Sequence, residues 1–176
     1  MSGKKLIIVG TGETGRLAYE YFTHDSNFEV IAFTGDREFI KDKEILTLPV
    51  LSLDDIKDRF PPDRHHAFVA VSSKKLNTVR SRLLDEVKNQ GYVIASYVSS
   101  RSFLSPSAKI GENCFILENN VIQPFVTIGD NVIMWSGNHI GHHSVIASGT
   151  VVDGVKIAPY SLVSGNPMKI KNGYYK

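Results

Sequence analysis

Asn138-His-Ile-Gly-His-His143 gathers three of the chain's six histidines into five residues. An imidazole, with an ordinary pKa of about 6.5, can take a proton from a nucleophile and return it to a leaving group near neutral pH. Histidine clusters also bind zinc, but a zinc site needs three or four ligands, and no acid or cysteine is spaced to complete one in this segment. A solvated polar corner is the third reading. The spacing points first to general-base chemistry, with His142 and His143 as the catalytic candidates.

A second constellation lies near the amino terminus, where Lys5-Leu-Ile-Ile-Val9 runs into Gly10-Thr-Gly12-Glu-Thr-Gly15. The aliphatic run predicts a buried strand, and the residues after the glycines predict a helix through about His24. Gly10 permits the tight turn, Gly12 lets a diphosphate approach the backbone, and Gly15 lets the helix pack closely. The free N–H groups of the helix terminus would face the anion. Asp36, 21 residues after Gly15, fits the spacing of an acid that holds a ribose. This half is short for a full dinucleotide fold, and no dehydrogenase domain follows it. A mononucleotide or sugar nucleotide is the expected ligand.

Two sets of elements must position these groups. Strands over Phe28–Phe33, Ala67–Val71 and Tyr92–Ala95 alternate with helices over Leu53–Phe60, capped by Ser52, and Lys74–Asn89. That alternation predicts a parallel sheet covered on both faces. Ser99 to Pro106, polar and carrying a proline, reads as a hinge.

Beyond it, six residues separate each of Leu104, Ile110, Ile116, Ile122, Ile128, Met134, Ile140 and Ile146. That period marks a parallel β-helix of three-sided coils, in which positions 18 apart stack and Asn120 and Asn138 can form an amide ladder. Val152 keeps the phase, whereas Ile157 and Val163 fall one residue short of it, so the frame slips around Asp153-Gly154. The reading is an α/β plus β chain: residues 1–98 a Rossmann-like domain, residues 99–176 a β-helix domain.

Composition narrows the function. The 176 residues are 42% apolar with no run long enough to span a membrane, and the net charge of +2 is spread along the chain, without a nucleic-acid footprint. The apolar stretch before Gly10 is too short for a signal peptide, and the single Cys114 suits a reducing compartment, so a cytoplasmic location is expected. Cys114 falls where small side chains point inward and reads as a buried structural thiol. Trp135 reads as an interface aromatic. Gly165-Asn-Pro167 reads as a closing turn, and the basic tail with Lys169, Lys171 and Lys176 as a solvated terminus.

Together these motifs resemble the bacterial sialic acid O-acetyltransferases and the nucleotide-linked amino-sugar N-acetyltransferases, which are hexapeptide-repeat acyltransferases. The resemblance rests on Gly10–Gly15, Phe33-Thr-Gly-Asp36, Val69-Ala-Val-Ser72, the coils from Leu104, Ile140-Gly-His-His-Ser-Val-Ile146 and Gly165-Asn-Pro-Met-Lys169. It implies a left-handed β-helix, a homotrimer, and acetyl transfer from acetyl-CoA to the amino group of a nucleotide-linked sugar for surface glycan synthesis, with O-acetylation the variant chemistry. It implies sugar-nucleotide contacts at Gly12, Glu13, Thr14, Gly35, Asp36 and near Ser72, coenzyme A along the coils, no metal, and His142 as general base.

Two departures accompany the resemblance. Many relatives follow the base with a carboxylate, but His143 stands there, so an orienting partner is expected from elsewhere or not at all. Relatives usually continue for one or two further coils, so a shortened solenoid is expected here. Two rival functions follow: a sugar-nucleotide-binding protein without a coenzyme site, and a zinc-dependent hydro-lyase of the carbonic anhydrase type.

Overall fold

A computed structural model describes residues 3–72 and 77–174. The chain divides into two compact units, Met1–Ser72 with Thr78–Ala95, and Ser73–Asn77 with Ser96–Lys176.

The first unit runs β1 (Lys4–Val9), α1 (Glu13–His24), β2 (Phe28–Gly35), β3 (Glu44–Ile45), β4 (Leu48–Ser52), α2 (Ile56–Arg59), β5 (His66–Val69), α3 (Thr78–Asn89) and β6 (Val93–Ile94). Its strand order is β3-β4-β2-β1-β5-β6, parallel except for the β3–β4 hairpin. Leu6, Ile7, Ile8 and Val9 are all fully buried, which is why the central strand reads as an unbroken aliphatic run. Ile7, Val9, Ala67 and Val69 pack with Ile56 of α2 and with Leu83, Leu84 and Val87 of α3. Successive strand residues face opposite ways, so Phe68 points to the other face, where Phe22 of α1 meets it edge to face at 4.9 Å.

Several expected bounds shift. The β3–β4 edge pair was not anticipated: Pro49 interrupts a short run, and an edge position is where a sheet tolerates the lost donor. Ser52 ends β4 and accepts a hydrogen bond from the Asp54 amide at 3.4 Å, so it shapes the turn and does not cap the helix, which is only Ile56–Arg59. Lys74 to Leu76, expected in the last helix, lie outside the described residues.

The second unit is a left-handed parallel β-helix of four coils. One face stacks Tyr97–Val98, Phe115–Ile116, Ile133–Met134 and Val151–Val152. The next stacks Phe103–Leu104, Val121–Ile122, His139–Ile140 and Lys156–Ile157. The third stacks Lys109–Ile110, Thr127–Ile128, Val145–Ile146 and Leu162–Ser164. The second residue of each pair points inward, and Ile116, Ile122, Met134, Ile140 and Ile146 are fully buried. Each such side chain contributes about 1.5–3 kcal/mol through burial, and one coil alone supplies too few of them.

Polar order accompanies the apolar stack. Asn138 Nδ2 donates to Asn120 Oδ1 at 2.9 Å, the expected ladder, and Asn113 Nδ2 donates to Asn131 Oδ1 at 2.8 Å, a second one that the sequence reading missed. Cys114 is fully buried, with its thiol 3.1 Å from the Gly129 carbonyl. The slip is present where expected: Ile140 pairs with Ile157 and Ile146 with Val163, 17 residues on instead of 18.

Ser99–Pro106 is not a hinge, because Tyr97–Val98 and Phe103–Leu104 already belong to the first coil. At the other end Lys169–Lys171 is a strand antiparallel to Leu162–Ser164, so this part of the tail is not frayed; Tyr175 and Lys176 lie outside the described residues. The turn between them, Gly165-Asn166-Pro167, contains a cis peptide bond before the proline.

Candidate functional site

The histidine-rich segment forms the corner of the third coil between Ile140 and Val145. Gly141 is needed there because a Cβ would lie 2.5 Å from the Pro159 nitrogen of the coil that follows. The His142 amide donates to Gln123 Oε1 at 2.9 Å, and the His142 carbonyl accepts from the Tyr160 amide at 3.0 Å. The His143 amide donates to the Pro124 carbonyl at 3.2 Å. Coils on both sides therefore fix the backbone of both histidines.

His142 is half-buried and His143 exposed. Their Nδ1 atoms are 3.0 Å apart, which requires one of them to carry a proton and the other to be bare. Phe125, His143 and Tyr160 occupy the same corner position in successive coils, and all three adopt the left-handed backbone, with φ of 63°, 57° and 57°. Their side chains form a column. The His143 ring is 4.7 Å from Phe125 and is stacked on Tyr160 at 5.1 Å with an interplanar angle of 17°. Tyr160 also meets His142 edge to face at 5.2 Å. Gln123, Phe125 and Tyr160 were missed in the sequence, although their offsets of 18 or 17 residues from Gly141 and His143 place them.

In the first unit, Gly10, Gly12, Glu13, Thr14, Gly15, Gly35 and Asp36 lie at the carboxyl ends of β1 and β2, the place where open parallel sheets bind ligands. Gly10 has φ of +140°, donates to the Thr34 carbonyl at 2.7 Å, and has no room for a Cβ against the Ala70 carbonyl. A Cβ on Gly15 would fall onto the Gly10 carbonyl, so this glycine sets how closely α1 approaches. Gly12 meets no neighbour within 4 Å and begins α1 without a side-chain cap, leaving its terminal N–H groups open.

Asp36 is not open in the same way. Arg82 of α3 grips its carboxylate in a bidentate pair at 3.3 and 2.5 Å and reaches Glu86 at 2.7 Å. Gly12 and Asp36 also face different cavities. Thr11 and Gly12 border one of about 210 Å³ with Phe39 and Lys41, which the sequence did not single out. Asp36 borders a larger cleft of about 750 Å³ with Arg37, Arg82 and Glu86. Ser72 follows β5 and is exposed. Among the described residues no three His, Cys, Asp or Glu side chains are grouped to hold a metal ion, and no helix is long and apolar enough to cross a membrane.

A glycine-turn α/β unit followed by a left-handed solenoid with an imidazole corner defines a class of two-unit hexapeptide proteins. Residues 5–87 match the PglD N-terminal domain, and residues 107–142 match the bacterial transferase hexapeptide of six repeats. The chain belongs to the hexapeptide-repeat sugar acetyltransferase family. No curated protein matches it by sequence.

Three solved structures share the fold. The acetyltransferase domain of PglB from Neisseria gonorrhoeae FA1090, in complex with acetyl coenzyme A, superposes with a TM-score of 0.65 at 19% identity, over 95% of this chain and 98% of that one. PerB from Caulobacter crescentus, in complex with CoA and GDP-perosamine, gives 0.59 at 19% identity, over 96% and 97%. WeeI from Acinetobacter baumannii AYE gives 0.50 at 19% identity, over 94% and 99%. The expectation of a shortened solenoid fails on these figures, because a neighbour covered to 97–99% has no room for further coils.

Proposed function

We propose that this protein transfers the acetyl group of acetyl-CoA to the amino group of a nucleotide-linked amino sugar. The observation that carries the reading is His142: a half-buried imidazole whose backbone two neighbouring coils hold, on a chain that joins a PglD N-terminal domain to hexapeptide repeats. The neighbours bound to acetyl-CoA, and to CoA with GDP-perosamine, support the choice of donor and acceptor.

The chemistry is direct. His142 Nε2 takes a proton from the sugar amine as the nitrogen attacks the thioester carbonyl. The tetrahedral intermediate collapses with cleavage of the C–S bond, and the thiolate receives the proton to leave as CoA. The nucleotide is held at the glycine turn, with Gly12, Glu13 and Thr14 presenting the α1 terminus to its phosphates and with Gly35, Asp36 and Ser72 around it. The working assembly is a homotrimer. Support for it comes from apolar side chains that the solenoid leaves in water, Phe103 at 57%, Phe125 at 58% and Trp135 at 37% exposure.

Thiol release from acetyl-CoA, measured across UDP-, GDP- and dTDP-linked 3-amino and 4-amino sugars with unaminated sugars as controls, tests the reading. Release with one amino sugar is expected, and His142→Ala should lower it by about 10²–10⁴-fold while sugar-nucleotide binding persists. Absence of release from protein that still binds a sugar nucleotide would replace the enzyme with a binding protein. Sedimentation of a monomer would remove the trimer.

A further inference from the structure

A base that accepts a proton on Nε2 must carry its own proton on Nδ1, and a bare acceptor must hold that proton in place. In this chain the next residue is His143 and not a carboxylate. Its Nδ1 is 3.0 Å from His142 Nδ1. Among the described residues this is the hydrogen-bond contact that the structure gives His142 Nδ1. The geometry points to His143 as the positioning residue of the proposed base, held by the rings of Phe125 and Tyr160. This inference rests on the reading of His142 as that base.

The proton inventory is closed. His142 carries Nδ1–H and donates it to bare Nδ1 of His143, whose own proton sits on Nε2. When His142 Nε2 takes the substrate proton, the imidazolium still donates through Nδ1–H, and its positive charge is shared across the bridge. A carboxylate would neutralise that charge; a neutral imidazole spreads it. The flanking rings of Phe125 and Tyr160, 4.7 and 5.1 Å from His143, lie within the range at which an aromatic face attracts a cation. No Asp or Glu joins the contacts of the corner, where His143 meets His142, Phe125 and Tyr160. The clamp also prevents rotation: a free exposed histidine samples several rotamers, whereas a ring stacked within a column of rings keeps its Nδ1 aimed at His142.

Two substitutions separate acceptor from packing. Phe125 occupies the equivalent corner at φ 63°, so a phenylalanine fits the backbone and the ring column at 143, and His143→Phe removes only the acceptor. His143→Asp suits the left-handed backbone and restores an acceptor while losing the ring. We expect His143→Phe to lower kcat by about 10–10²-fold with little change in either Michaelis constant. His143→Asp should recover most of that loss. It should also move the acid limb of the kcat profile to higher pH, because a facing carboxylate favours the imidazolium and keeps the base protonated to higher pH.

The opposite order, with His143→Phe active and His143→Asp impaired, would make packing the role of residue 143 and overturn the inference. So would two variants equally impaired with an unmoved acid limb. Measuring His142→Ala alongside keeps the two readings apart. If it is inactive while His143→Phe is normal, only the positioning role fails; if it is as active as the parent, the base itself has been misassigned.

Discussion

Replacing Asn138 with alanine tests how the solenoid absorbs its one-residue slip. Asn138 is buried, at 1% exposure, where the third coil turns toward His139. Its Nδ2 donates to Asn120 Oδ1 at 2.9 Å and to the Trp135 carbonyl at 2.5 Å. Its Oδ1 accepts from the Val155 amide at 2.9 Å, in the coil where three residues, Asp153 to Val155, do the work of four. Alanine removes all three bonds. Asn120 Oδ1 would keep the Asn138 amide at 3.0 Å, and the Trp135 carbonyl would keep Asn120 Nδ2 at 3.0 Å, so neither acceptor is orphaned. The Val155 amide would lose this acceptor.

At about 1 kcal/mol for each lost bond, plus about 1 for a partly shielded N–H, the expected cost is about 3–4 kcal/mol. For a chain of this size that corresponds to a fall in Tm of about 6–16 °C. The assay is thermal unfolding followed by circular dichroism at fixed protomer concentration, since assembly would otherwise shift the midpoint. Asn138→Asp sharpens the test. It keeps the acceptor for Val155 but sets carboxylate oxygen against Asn120 Oδ1 and the Trp135 carbonyl, so at neutral pH it should be no more stable than the alanine variant. A loss below about 1 kcal/mol for alanine would mean that Asp153-Gly154 accommodates the slip without the ladder.

Two further expectations concern the first unit. Burial, then the charges of Lys4 and His65, lowers the pKa of His66, whose Nδ1 has no hydrogen-bond partner. The unfolded chain therefore binds a proton first, and stability should fall as pH drops from about 6.5 toward the lowered folded value, with no contribution above that window. His66→Gln should flatten Tm measured between pH 7.5 and 5, and an unchanged slope would exclude His66 as its source. Asp36→Ala should raise the Michaelis constant for the sugar nucleotide and leave assembly intact, costing at most about 1 kcal/mol, because the Arg82 pair is partly exposed. Unchanged kinetics would place the nucleotide away from Asp36.

The parts of this chain that a reader of the sequence can recover are those whose burial is decided within one repeat. An inward Ile116 or Ile140 is apolar whatever lies above it, so the six-residue period survives as a pattern. The same holds for β1, where burial on both faces demands four aliphatic residues in a row. Local geometry was legible too: Gly10 and Gly15 have their roles because of atoms that any such strand-turn-helix must bring close. What was lost depends on partners that sequence distance conceals. Asp36 stands at the expected spacing, but the Arg82 that occupies it is 46 residues on. Phe39 and Lys41 lie on a segment with no periodicity to mark them.

The corner column shows the same limit most sharply. Phe125 is 18 residues before His143, but Tyr160 is 17 after it, because the slip at Asp153-Gly154 lies between them. A search at the strict period would pair His143 with Ser161, whose side chain is buried and bonded to the Ala158 carbonyl at 2.7 Å. The slip therefore decides which residue meets the imidazole. By delivering Tyr160 to the corner, the shortened turn completes the aromatic clamp on His143. Restoring the deleted residue near Gly154 would return the solenoid to its regular period and set Ser161 where the ring now stands.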